Sequence, residues 1–142
     1  ARVYIGGSAA NPATVPAVEP IRVRHLLTHT SGFGYEFINE AIPKYQAATG
    51  VPSALSGQLA MLKVPLMFDP GERWEYGTGI DFAGKMVEAV TGQKLGQYMH
   101  DNLLSPLGMN STGYKNPEGL SEPGHTTTAR DLSVLSTSIT AS

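Results

Sequence analysis

The stretch Asp69-Pro70-Gly71-Glu72-Arg73-Trp74-Glu75-Tyr76-Gly77-Thr78-Gly79 constrains this chain more than any other part of it. Pro70-Gly71 is a turn signal, and Thr78-Gly79 opens a run in which Ile80, Ala83, Met86, Val87 and Val90 recur at helical spacing until Gly92 stops it. A turn that feeds an amphipathic helix in this way delivers Tyr76 to the head of the helix. That is where a catalytic phenol would sit.

The remaining elements read as mainly helical. Val3-Tyr4-Ile5 suits a short strand, and residues 6–20, rich in glycine and proline, read as an extended surface connection. A helix is expected over residues 21–30, with Val23, Leu26 and Leu27 on one side and Gly32 as its left-handed cap. Residues 33–50 suggest a loop and a short helix around Phe37, Ile38, Ala41 and Tyr45, broken or kinked at Pro43. Ser56 suits an N-cap for a helix over residues 58–63, and a further helix is expected over residues 95–104. Residues 113–125 read as a long loop, after which Thr128-Ala129-Arg130-Asp131 is a capping box for a last helix using Leu132, Leu135 and Ile139.

Composition narrows the function classes. Ten basic against 12 acidic residues give a net charge of −2, with no basic stripe to neutralise phosphates, so no nucleic-acid partner is expected. The chain contains no cysteine, which excludes disulfides and thiolate metal sites. His25 and His29 share a helical spacing, but no Glu follows His25, and a packing or capping role is expected for both rather than zinc. No apolar run approaches the ~18 residues that span a bilayer, and residues 1–7 lack a signal-peptide pattern. A soluble chain, cytoplasmic or periplasmic, is the expectation. Asn110-Ser111-Thr112 matches the glycosylation pattern, which carries weight only in a secretory context.

Three segments together resemble the serine β-lactamase and penicillin-binding-protein superfamily: Arg24-His25-Leu26-Leu27-Thr28-His29-Thr30-Ser31-Gly32, the Tyr76 turn, and Pro106-Leu107-Gly108-Met109. Residues 2–114 resemble the class C β-lactamase-like esterases, the family VIII carboxylesterases. Residues 107–139, through Asn116-Pro117-Glu118-Gly119-Leu120 and Thr126-Thr127-Thr128-Ala129-Arg130-Asp131-Leu132, look more like D-alanyl-D-alanine carboxypeptidases. The resemblance implies the helical lobe of a β-lactamase/transpeptidase-like α/β fold, mainly α, with most of the sheet missing. It is expected to be a single partial domain over residues 1–142: an extended lead-in at 1–20, the lobe at 21–112, and a loop plus C-terminal helix at 113–142 whose origin can differ.

For the site, the resemblance implies that Tyr76 is catalytic, in the place of the family's Tyr-x-Asn tyrosine. Thr78, where the family usually carries Asn, and Tyr35, in the loop after Ser31-Gly32, are then substrate-binding. A phenol, with an ordinary pKa near ~10, takes a serine's proton at neutral pH only beside an ammonium. The family supplies that ammonium from Ser-x-x-Lys, and a Lys-Thr-Gly or His-x-Gly strand adds further polar contacts. No serine in this sequence has a lysine three positions on, and none of Lys44, Lys63, Lys85, Lys94 or Lys115 precedes Thr-Gly or Ser-Gly. Ser31 lacks Gly-x-Ser-x-Gly as well, so it is read as structural, as is His125.

Two functions stay open. One is the central segment of a serine hydrolase acting on esters or β-lactams through an acyl-serine, without metal or organic cofactor and inactive as these residues alone. The other is a non-catalytic helical binding or scaffold module, natural or recombined, in which Tyr76 only anchors a helix start. Either way a complementing chain, or self-association through the apolar faces of residues 80–91 and 128–139, is the expected partner.

Overall fold

The computed structural model describes residues 1–8, 10–115 and 121–140, which fall into two units, Ala1–Ala83 and Gly84–Ser142. The expectations on Asn116-Pro117-Glu118-Gly119-Leu120 lie outside the described residues.

The first unit begins with a hairpin. Strand β1 (Arg2–Ser8) pairs antiparallel with β2 (Asn11–Pro16), from Arg2 opposite Pro16 to Ser8 opposite Asn11, with an irregularity between Tyr4 and Gly6. This corrects the extended connection expected over residues 6–20. Proline is excluded from central strands because it lacks a donor, but Pro12 and Pro16 lie on β2, which is an edge strand among the described residues, where proline is tolerated. A short third segment joins β1: Tyr4 N–H donates to Leu66 O at 2.7 Å and Leu66 N–H to Arg2 O at 2.9 Å.

Helix α1 runs only over Val23–Leu27, shorter than the expected residues 21–30. Its end is chemically marked. The Thr28 hydroxyl donates to Arg24 O at 2.7 Å, competing with backbone donors, and His29 then turns left-handed at φ 55°. Thr30 N–H closes the turn onto His25 O at 3.0 Å, the six-to-one bond of a Schellman motif. The left-handed cap is therefore His29 rather than Gly32. Leu26 is buried, but Val23 and Leu27, expected beside it, are exposed.

Helix α2 (Ala41–Thr49) is unbroken, because Pro43 falls in the first turn, where its missing N–H would have had no partner. Two 3₁₀ turns follow, Ala54–Ser56 and Leu59–Lys63. Ser53 caps the first, its hydroxyl accepting from Leu55 N–H at 3.1 Å. Ser56 accepts from Gln58 N–H at 3.2 Å, just ahead of the second. The core of this unit is Val3, Leu26, Phe33 and Leu66, with Ile21, Phe82 and Ala83 packed on it. Phe33 lies flat on Phe82, ring centres 4.0 Å apart.

Helix α3 (Gly79–Thr91) starts in the first unit and ends in the second, matching the sequence reading at both ends. In the second unit, Glu88 receives Lys85 Nζ at 2.7 Å and Leu95 N–H at 3.1 Å, tying the end of α3 to the start of α4 (Leu95–Met99). These donors, Lys85 first, hold its carboxyl below the ordinary value. The chain continues from α4 as a π turn over His100–Leu104, not the single helix expected over residues 95–104. Leu104 and Met109 are fully buried.

Helix α5 (Ala129–Thr140) starts as expected: Thr128 Oγ1 accepts from Asp131 N–H at 3.1 Å. The Asp131 carboxylate also accepts from the Thr112 hydroxyl at 2.7 Å and Ser111 N–H at 3.0 Å. Those donors, the Thr112 hydroxyl first, lower its pKa below the ordinary 3.8. A depressed acid stabilises the folded state above its unfolded pKa and loses that contribution as pH falls through the folded value. Asp131→Asn is therefore expected to lower the melting midpoint at pH 7 and flatten its decline below about pH 4. Identical acid limbs for the two proteins would refute this.

Candidate active site around Tyr76

The turn that carries Tyr76 is pinned at successive points to residues 18 and 25–39. Asp69 Oδ1 accepts from Val18 N–H at 2.7 Å, and Gly71 N–H donates to Thr30 O at 2.7 Å. The Arg73 guanidinium lies 4.0 Å over the buried Phe68 ring. Glu75 accepts from Asn39 Nδ2 at 2.6 Å, and its backbone N–H donates to His29 O at 2.9 Å. Gly77 N–H donates to His29 Nδ1 at 3.4 Å. Gly77 also lies against the Phe33-Gly34 backbone so closely that a Cβ there would fall 2.1 Å from Phe33 O.

These anchors hold the Tyr76 ring in a ribbon of aromatic side chains. Phe37 stacks on Tyr35 at 4.9 Å, Tyr35 meets Tyr76 at 5.3 Å, Tyr76 meets His29 at 4.7 Å, and His29 meets Trp74 at 6.2 Å. Tyr35 is 9% exposed and its hydroxyl donates to Asp81 Oδ2 at 3.5 Å, whereas Tyr76 is 40% exposed. Phe37 and Trp74 flank them with most of their surface in solvent. Of the residues singled out from sequence, Tyr76 and Tyr35 come together on this ribbon. Thr78 is buried, its carbonyl accepting from Phe82 N–H at 3.3 Å as α3 begins.

The other candidates lie apart from this chemistry. Ser31 is 1% exposed, and its hydroxyl accepts from Phe33 N–H at 3.4 Å. His25 Nδ1 accepts from Arg22 N–H at 3.3 Å, and no group of three or more metal-ligating side chains occurs among the described residues. In the second unit, His125 packs edge-on against Tyr114 at 5.5 Å. A groove of about 410 Å³, lined in part by Arg2, Thr14, Phe33, Tyr45 and Phe82, does not include Tyr76, Tyr35 or His29. The packing or capping role expected for His29 fits its place at the end of α1, but its contact with the Tyr76 turn is what sequence reasoning missed. The helix expected over residues 21–30 hid its position: α1 ends at Leu27, and His29 follows the Thr28 cap, where glycine is usual.

The Beta-lactamase family profile matches residues 4–138, and the chain belongs to that family. Its relatives there are serine β-lactamase-like esterases and acyltransferases. It is 43% identical over 96 residues to monacolin J acid methylbutanoyltransferase of Aspergillus terreus, covering 67% of this chain and 23% of that protein. It is 38% identical over 106 residues to lovastatin esterase of Penicillium rubens, covering 73% and 27%. Unliganded simvastatin synthase from Aspergillus terreus superimposes with a TM-score of 0.69 at 39% identity, over 80% of this chain and 30% of that one. The chain thus spans about a quarter of the length of the relatives it matches, and its fold is part of theirs, mostly helical with a two-stranded sheet. No described helix is long and apolar enough to cross a membrane.

Proposed function

We propose that these residues are the central segment of a serine hydrolase or acyltransferase that handles carboxylic esters or β-lactams through an acyl-serine intermediate, with Tyr76 sharing the role of base. The observation that carries this reading is Tyr76 itself. Its ring is fixed by Tyr35 and His29 while 40% of the residue faces solvent at the head of α3. A tyrosine serving only as an anchor would turn its surface inward. The names of the relatives, a methylbutanoyltransferase and an esterase, support acyl transfer as the chemistry.

The reaction then needs a serine and a lysine from outside these 142 residues. The serine oxygen attacks the acyl carbon as its proton passes to the phenolate of Tyr76, which the lysine ammonium favours. The proton returns to the leaving alkoxide, or to the ring nitrogen of a β-lactam; water or a second alcohol then attacks the acyl carbon, its proton passing through Tyr76 to the departing serine oxygen. Tyr35 and the apolar ribbon around it offer contact to the acyl chain, and a threonine at position 78 suits an ester, which has no amide to bind. Residues 107–139 take part as scaffold, with a junction of differing origin near Leu107-Gly108-Met109.

The test is covalent trapping. The 142-residue chain alone is expected to form no adduct with a fluorophosphonate in intact-mass measurement. The same chain completed with segments bearing Ser-x-x-Lys and Lys-Thr-Gly or His-x-Gly should be labelled once, on that added serine. Labelling of the isolated chain, or none in the completed one, overturns the reading.

A further inference from the structure

We infer that His29 is a positioning residue that holds the Tyr76 phenol in place from three directions, an inference that rests on the reading of Tyr76 as base. Both neighbours of Tyr76 in the chain bond to this one residue. Glu75 N–H donates to the His29 carbonyl at 2.9 Å, and Gly77 N–H donates to His29 Nδ1 at 3.4 Å. The imidazole also packs on the Tyr76 ring itself, centre to centre at 4.7 Å. The segment on which the tyrosine is carried is thus bracketed at positions 75 and 77 while its ring is braced at 76.

The backbone of His29 points the same way. Its φ of 55° is the left-handed region, where a residue with a Cβ is disfavoured. Glycine would satisfy the Schellman turn at the end of α1 without that penalty, but it has no acceptor for Gly77 and no ring for Tyr76. Histidine at this position trades helix-end stability for a hold on the neighbouring turn. Trp74 lies against the outer part of this arrangement, at 6.2 Å from the imidazole.

Two substitutions separate this role from helix capping. His29→Gly keeps the left-handed turn and the carbonyl but removes the acceptor and the ring. His29→Asn tolerates the same φ and returns an acceptor, its side-chain oxygen, close to where Nδ1 stood. In ¹⁵N-labelled chain, amide exchange at Gly77 is expected to quicken about tenfold or more in His29→Gly, with Glu75 as internal control because its acceptor is retained, and to return most of the way in His29→Asn. In the completed enzyme, kcat should fall about tenfold in His29→Gly with KM little changed, and His29→Asn should recover most of it. Unchanged Gly77 exchange in His29→Gly, or equal acceleration at Glu75 and Gly77, overturns the inference. Selective loss of Gly77 protection with kcat retained upholds the hold on the turn and counts instead against Tyr76 as base.

Discussion

Tyr76→Phe in the completed enzyme is expected to lower kcat about 100-fold or more, the usual scale for loss of a general base, while leaving the melting midpoint nearly unchanged. That loss corresponds to about 2.7 kcal/mol of transition-state stabilisation. Only the hydroxyl is removed. The ring contacts to His29 and Tyr35 are made by carbon faces that phenylalanine reproduces, so a structural role predicts no change in rate. The measurement is steady-state hydrolysis of a short-chain p-nitrophenyl ester beside a thermal melt. Full activity in the variant would return Tyr76 to the role of an anchor.

The second large effect is on stability. Gly77→Ala is expected to destabilise the chain by about 3 kcal/mol or more, a fall in melting midpoint of roughly 10 °C. An added Cβ would lie 2.1 Å from Phe33 O, 2.5 Å from Phe33 C and 2.6 Å from Gly34 Cα. All three are backbone atoms beside the core, which cannot step aside as a flexible side chain can. Gly50→Ala is the control: it has positive φ at the end of α2 but nothing within 4 Å of the added carbon, so only the penalty of about 1 kcal/mol for a left-handed alanine applies. Equal melting of the two variants would show that the turn does not press on Phe33-Gly34 in solution.

These contacts indicate what the sequence could and could not disclose. The head and end of α3 were readable because Thr78-Gly79, the apolar spacing and Gly92 all act within one helix. The start of α5 was readable for the same reason, Thr128 capping its own helix. The hairpin was not, because Pro12 and Pro16 argue against a strand until one knows that β2 is an edge among the described residues. Gly77 was visible as a glycine, but its need for close approach depends on Phe33, distant in sequence. His29 was visible as a histidine near a helix end. That it would take the left-handed position and turn toward Tyr76 follows from a pairing between positions 29 and 75–77, which no local propensity encodes.

The hairpin at the start of the chain has a bearing on how this protein behaves in concentrated solution. A strand exposed along its edge is a template on which another molecule can lay its own backbone, the first step toward fibres and swapped dimers. In β2, two of the six positions, Pro12 and Pro16, have no N–H to offer such a visitor. The β1 side is partly taken by Leu66, which uses Arg2 O and Tyr4 N–H. The prolines that make the strand hard to recognise thus also make it a poor seed for aggregation.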